Sequence, residues 1–326
     1  MATMATCPAM AKDGTNQSLW SYCPSLAAAY LFAIFFLLSA AFHLYQAIRY
    51  RKPYCFVIIT AVTLQCIAFI FRIISINNGT VVAPYAISFV LILVAPVWTN
   101  AFVYMVLGRM IYNFIPSGKV FGLRGWRFGI YFVLLDITSV PSPFRSSASD
   151  SHHHRAFLVQ VFGASRAVGN NVPEDQLWQG LHIYMGGIGI QQLFILVFLV
   201  MVTRFHQLLL LQPKTTQNLQ AKRLLCVVYI SLTLITIRII VRLLEYSQSL
   251  DGVIATHEAF LYCLDSSLML ICALMFSLIH PGKVMPGSAG NFPSRKDRRA
   301  IKAAENSFGS QPGLNELLHR HEGGAV

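Results

Sequence analysis

The stretch LLCVVYISLTLITIRIIVRLL, Leu224 to Leu244, contains no acid and no polar break beyond single Ser, Thr and Arg residues. Crossing ~30 Å of hydrocarbon takes about 20 helical residues, so a run of this length and composition reads as a transmembrane helix. The same reading applies to Ser25 to Ala47, Cys55 to Ile76, Tyr85 to Met110, Phe128 to Val168 with an interruption, Leu181 to Val202, and Ala259 to His280. The expected fold class is all-α integral membrane, with seven transmembrane helices.

Composition agrees. With 55% hydrophobic and 12% charged residues in 326, the chain has too little polar surface to coat a soluble globule of this size. The expected organisation is an outer N-terminal segment (1–24), one membrane domain (25–282) and a tail (283–326). The first apolar segment lacks a basic flank and is too long for a cleaved leader, so it reads as a retained helix.

Basic residues in short loops stay on the cytoplasmic side. Arg49, Arg51 and Lys52 follow the first span; Arg109, Lys119, Arg124 and Arg127 the third; Arg204, Lys214, Lys222 and Arg223 the fifth. The alternate loops are neutral from Asn77 to Pro84, then carry Arg166 with Glu174 and Asp175, then Glu245, Asp251 and Glu258. The N-terminus is therefore expected outside and the C-terminus in the cytosol. The sequons at Asn16 and Asn78 fall outside on this topology.

The net charge of +12 lies along the inner face, which points to anionic lipid headgroups as its partner and not to nucleic acid. The tail adds Arg295, Lys296, Arg298, Arg299 and Lys302 to a Gly-, Pro- and Ser-rich segment with no apolar period. It reads as disordered, and either a solvated tail or an inner-leaflet anchor. Cys7 and Cys23 lie on the outer side, where a disulfide can form. The other cysteines sit in or beside helices, and no CxxC spacing suggests metal or redox chemistry.

The fourth span is interrupted. Phe128 to Val140 and Phe157 to Val168 are each too short to cross alone, and between them lies a polar run with Pro141, Pro143 and His152 to His154. Failure of this span to cross would invert every later loop against the charge pattern. Residues 140–156 read instead as a translated short intron, opening at a Val codon, which necessarily begins GT. Its removal places Asp136 and Gln160 seven apart on one helical face. A cavity-lining insert is the rival reading. Three adjacent histidines do not converge on one ion without a shaped loop, so no metal site is expected.

Ionisable side chains within spans are costly and mark pairing or functional sites. Arg238 lies ~21 Å from the inner entry of its helix, with Arg242 and Glu245 following on the same face. Glu258, Tyr262, Asp265 and Met269 share one stripe of the last helix, and Arg72 sits at the same outer level in the second. Two readings stand together: an ion-pair latch among the second, sixth and seventh helices, and a polar cavity that binds a lipid headgroup. Asp136, Gln160 and Gln191 would extend a polar track inward. Pro96 is expected to kink the third helix.

In order along the chain stand Tyr22-x-Pro24-Ser25, His43-x-x-Gln46, Ala95-Pro96 with Ala101, Tyr104 and Gly108-Arg109, and Asp136-x-x-Ser139. Then come Gln160, Gly187-x-x-x-Gln191, Arg238-x-x-x-Arg242-x-x-Glu245, Glu258-x-x-x-Tyr262-x-x-Asp265 and His280-Pro281-Gly282. The set resembles the fungal lipid-translocating exporters, the resistance-to-aminocholesterol-like membrane proteins. Where that pattern has an acid and then Gly-Tyr before the second-helix Arg, this chain has Gln65, Ala68 and Phe69.

The resemblance implies a multi-pass protein of the plasma membrane or an endomembrane, linked to export of sphingoid bases or sterol analogues and to stress resistance. A lipid transporter is the leading expectation, and a heptahelical receptor or lipid sensor the alternative. No nucleotide-binding loop and no cofactor motif is present. No Lys in the last helix could carry a retinal Schiff base, and His43, His182, His257 and His280 are split between the two membrane faces, so enzymatic activity is not expected.

Overall fold

The computed structural model describes Trp20 and residues 22–139, 174–213, 215–247 and 256–287, with Phe292, Pro293 and Lys296. Helix α1 (Leu26–Tyr50) begins where the Ser25 hydroxyl accepts the Ala28 amide at 3.3 Å. It ends at Arg51, whose left-handed backbone (φ 52°) lets its amide donate to the Ala47 and Ile48 carbonyls. Lys52 and a single 3-10 turn, Pro53–Cys55, then reverse the chain into α2 (Phe56–Asn77). A connection this short makes α1 and α2 packed neighbours.

Helix α3 (Val82–Phe114) holds Pro96 inside a continuous run. A strand pair follows, β1 (Lys119–Val120) with β2 (Leu123–Arg124), registered Lys119 to Arg124 and Val120 to Leu123. Phe121 (φ 49°) and Gly122 (φ 75°) make its reversal, and it feeds directly into α4 (Gly125–Ser139). Helices α5 (Glu174–Leu210) and α6 (Thr216–Ser247) come next. Glu258–Phe260, a π-helical turn Leu261–Ser266, and Ser267–Leu278 run on as one helix, α7, and α8 (Pro281–Val284) closes the bundle.

Each helix packs on the next from α1 to α7, and α7 returns to α1, while α3 also touches α5, α6 and α7 from within the ring. The interior is one apolar cluster with Phe36, Phe69, Phe102, Phe198 and Phe276 among its largest members. The outside is apolar too: Leu37, Leu38, Phe56, Leu193, Val200 and Leu278 are all exposed. A protein that is hydrophobic inside and out is solvated by lipid.

Among the described residues six helices are long and apolar enough to cross a membrane: Leu26–Tyr50, Pro53–Asn77, Val82–Phe114, Met185–Leu210, Thr216–Ser247 and Glu258–Val284. The expected fourth span is represented by α4 alone, whose 15 residues extend ~22 Å, short of the ~30 Å needed. Its continuation, with residues 140–156, Gln160 and His152 to His154, lies outside the described residues. So do Asn16, Cys7 and most of the tail.

The chain divides into two units, Met1–Pro286 and Gly287–Val326, and all the helices described above belong to the first. Cys23 is disulfide-bonded, with its partner outside the described residues. Cys55, Cys66, Cys226, Cys263 and Cys272 are free. Asn78 is exposed just beyond α2, where its side-chain amide donates to the Ile74 carbonyl at 3.1 Å.

Candidate functional site

The costliest residues in this bundle meet at one end of α2, α6 and α7. Arg72 lies near the end of α2 and Glu258 opens α7, and Arg72 Nη2 stands 2.8 Å from Glu258 Oε1. The same guanidinium donates from Nε to the Tyr262 hydroxyl at 3.2 Å and from Nη2 to the Tyr22 hydroxyl at 3.0 Å. The Trp20 ring lies 4.6 Å from the guanidinium carbon, within cation–π range. The Ser25 amide donates to Glu258 Oε2 at 2.6 Å. The segment before α1 is thus drawn over the Arg72–Glu258 pair, with Trp20 packed on Ala29 and Ile76.

The second half of the network is on α6. Arg242 grips Asp265 with two nitrogens, Nε at 3.2 Å from Oδ1 and Nη2 at 3.0 Å from Oδ2. The Nε contact is a hydrogen bond and the Nη2 contact an ion pair. Arg238 Nε lies 2.6 Å from Asp265 Oδ1, and Arg242 Nη1 is 2.9 Å from Glu245 Oε2 one turn on. Asp265 is 2% exposed and so carries two cations in an apolar interior. Three arginines and three carboxylates leave the network neutral, which is what makes its desolvation affordable.

The π-helical turn sits where these contacts diverge. The Ser267 amide donates to the Tyr262 carbonyl, five residues back. The wider turn spreads Tyr262 toward Arg72 on α2 and Asp265 toward Arg238 and Arg242 on α6. Single π turns inside α-helices recur at functional sites.

All seven residues expected in the cluster, Arg72, Arg238, Arg242, Glu245, Glu258, Tyr262 and Asp265, take part in it. Tyr22, Trp20 and the Ser25 amide were not anticipated, although Tyr22-x-Pro24-Ser25 and the adjacent Cys23 carried the signal. Of the expected inner track, Asp136 and Gln191 are both buried. Asp136 Oδ2 accepts from the Tyr104 hydroxyl at 3.0 Å and the Asn100 amide at 3.3 Å.

At the opposite end of α7 a third polar group closes the bundle. His43 Nε2 lies 3.0 Å from Ser277 Oγ and 3.1 Å from the Ala273 carbonyl, and Gln46 donates to the Ser277 carbonyl at 2.8 Å. Tyr50 stacks on His280, whose Nδ1 accepts the Gly282 amide at 3.0 Å. In the α1–α2 loop Lys52 is buried, and burial followed by the charge of Arg109 pushes its ammonium below the usual lysine range. Among the described residues no group of three His, Cys, Asp or Glu is placed to hold a metal ion.

A closed ring of apolar helices around neutralised charges defines a multi-pass membrane protein. The chain belongs to the RTA1-like protein family, whose model matches residues 58–142 and 154–288. It is 36% identical over 293 residues to the probable lipid transporter atnI of Emericella nidulans, spanning 85% of this chain and 71% of that protein. Protein RTA1 of Saccharomyces cerevisiae is 27% identical over 307 residues, 83% of this chain and 87% of its own. The lipid-translocating exporter-like protein RTA1 of Leptosphaeria maculans is 25% identical over 297 residues, 83% of this chain and 52% of its own. No solved structure matches.

Proposed function

We propose that this chain moves amphiphiles such as sphingoid bases or sterol analogues between leaflets, and that the Arg72–Glu258–Arg242–Asp265 network is both its latch and its headgroup site. The observation carrying this is a neutral network in an apolar bundle, covered at one end by Trp20 and Tyr22. A charged headgroup can enter such a network by replacing one internal partner. An ammonium would take Glu258 and release Arg72, loosening α7 from α2 at the moment of binding. The names of the relatives, one a probable lipid transporter and another lipid-translocating exporter-like, support the reading. They give no support to a receptor.

The accompanying topology has seven spans, N-terminus outside and C-terminus in the cytosol, in the plasma membrane. The basic loops and tail then rest on anionic lipid. Leaflet distribution of a labelled sphingoid base tests the transport reading, in cells with the gene, without it, and with Glu258→Gln. Deletion should slow redistribution and Glu258→Gln should approach deletion; identical distributions in all three defeat the reading.

The same reading takes residues 140–156 to be absent from the active product, which leaves one continuous fourth span. The family match leaves 143–153 uncovered, which supports the intron reading. Transcript sequencing should find a species lacking these codons that encodes one continuous fourth helix. Transcripts that all retain them refute it.

A further inference from the structure

The bundle buries two aspartates, and their surroundings are opposite. Asp265 has two guanidinium groups within 3.2 Å, so its negative charge is matched in place. Asp136 is 1% exposed, and its hydrogen-bond partners are neutral: the Tyr104 hydroxyl and the Asn100 amide. Among the described residues the helices packed most closely on α4 are α3 and α5. α3 presents Asn100 and Tyr104 to the carboxyl and α5 presents Gln191; among the described residues no Lys, Arg or His bonds to it or forms an ion pair with it. Asp136 Oδ1 has no hydrogen-bond partner, and neither has Asn100 Oδ1.

A carboxylate in hydrocarbon without a cation is the arrangement membrane proteins avoid unless the residue works. A lone negative charge calls for a positive ligand. With 1% of the residue exposed, an ammonium and its alkyl chain have no room, whereas a proton does. The donor set suits both protonation states. Ionised, the carboxylate accepts from Tyr104 and Asn100. With a proton on the carboxyl, it becomes a donor, and the Asn100 amide can turn its oxygen, now without a partner, to accept. Neither state leaves the group stranded, so gain and loss of the proton need only a hydroxyl and an amide to reorient.

We propose that Asp136 is a proton-binding residue whose loading and unloading couples amphiphile movement to the proton gradient. This rests on the transport reading and supplies the energy source that a chain lacking a nucleotide-binding loop requires. The balance is simple: one proton from water forms an O–H bond on the carboxyl, the buried charge disappears, and the same proton is returned to water on the other side. Asp265 takes no part, because its charge is fixed by Arg238 and Arg242.

The test uses the full-length chain reconstituted in phosphatidylcholine vesicles, with two readouts on the same preparation. Infrared difference spectra across a pH titration report the carbonyl stretch of a protonated carboxylic acid. Transfer of a fluorescent sphingoid base reports transport with and without an imposed proton gradient. Wild type should show a carboxylic-acid band that vanishes in Asp136→Asn, and a gradient should change its transfer rate several-fold while leaving Asp136→Asn indifferent. Tyr104→Phe keeps the acid and removes one donor to its ionised form, so its band should titrate at higher pH; this variant guards against misfolding of Asp136→Asn.

A spectrum with no Asp136-dependent band, or with one that Tyr104→Phe leaves in place, overturns the proposal. So does transfer by wild type that ignores the gradient, which leaves the transport reading standing. A wild type that moves no amphiphile while its band titrates fails the transport reading and the coupling with it, and leaves Asp136 as a proton site.

Discussion

Asp265→Ala is expected to be the most damaging single substitution in the bundle, because it removes the carboxylate that two buried guanidinium groups share. Arg242 would keep Glu245 at 2.9 Å, but Arg238 would be left with the Ile92 carbonyl at 3.5 Å and no acid. Removing one partner of a buried pair typically costs about 3–5 kcal/mol. That is a large share of the roughly 5–15 kcal/mol that holds a protein folded. Thermal stability of the detergent-solubilised protein, followed by monodisperse recovery after heating, measures the effect.

Arg238→Met makes the informative comparison. There every remaining charge keeps an opposite partner, Arg242 on Asp265 and on Glu245, so the loss should be clearly smaller than for Asp265→Ala. Equal losses would mean that the network contributes through packing alone. A wild-type melting temperature in Asp265→Ala would mean that the guanidinium groups reach water, and the sealed network described above would be wrong.

How far this site could be read from sequence follows from which residues are rare. With only 12% of the chain charged, an Arg or Asp inside an apolar run stands out, and depth along a helix then says which can meet. That reasoning brings Arg72, Arg238, Arg242, Glu245, Glu258 and Asp265 to one level. It does not say that Glu258 answers Arg72 while Asp265 answers both arginines of α6. That division depends on the π turn at Leu261–Ser266, a backbone event with no residue signature in LYCLDS.

The partners of Asp136 were harder to see for the converse reason. Tyr and Asn are ordinary in membrane helices, and the i, i+4 spacing of Asn100 and Tyr104 acquires meaning only when α4 lies against α3. Gln65 is a further case: its amide is buried in α2 with neither side-chain atom hydrogen-bonded. In the sequence it stands out only as a departure from the family pattern, a Gln where an acid is expected.

What brings α4 against α3 is the absence of two side chains. A Cβ built on Gly108 would lie 2.6 Å from the Gly125 carbonyl oxygen, and one on Gly125 would collide with the Gly108 carbonyl oxygen. Both obstacles are backbone, which cannot swing aside as a side chain can. One turn on, a Cβ on Gly129 would meet Met105 Cγ at 3.3 Å, so Gly125 and Gly129 form the small-residue stripe through which membrane helices approach closely.

Gly108→Val should therefore pry α4 from α3 at its first turn and drag Asp136 from Tyr104 and Asn100, which lie on the same face of α3. Overpacking of a close-packed contact costs about 1–3 kcal/mol, and here the loss falls on a helix of only 15 described residues. The expected outcome is sharply reduced accumulation in the membrane and, in what remains, loss of the Asp136 carboxylic-acid band.

Gly186→Ala and Gly189→Ala serve as controls, since a Cβ at either meets nothing within 4 Å. The Gly-to-Ala gain in helix propensity, ~1 kcal/mol, should make those variants neutral or slightly more stable. If Gly108→Val accumulates as well as these controls, the α3–α4 contact is looser than the glycines imply, and the enclosure of Asp136 that the proton site requires would not hold.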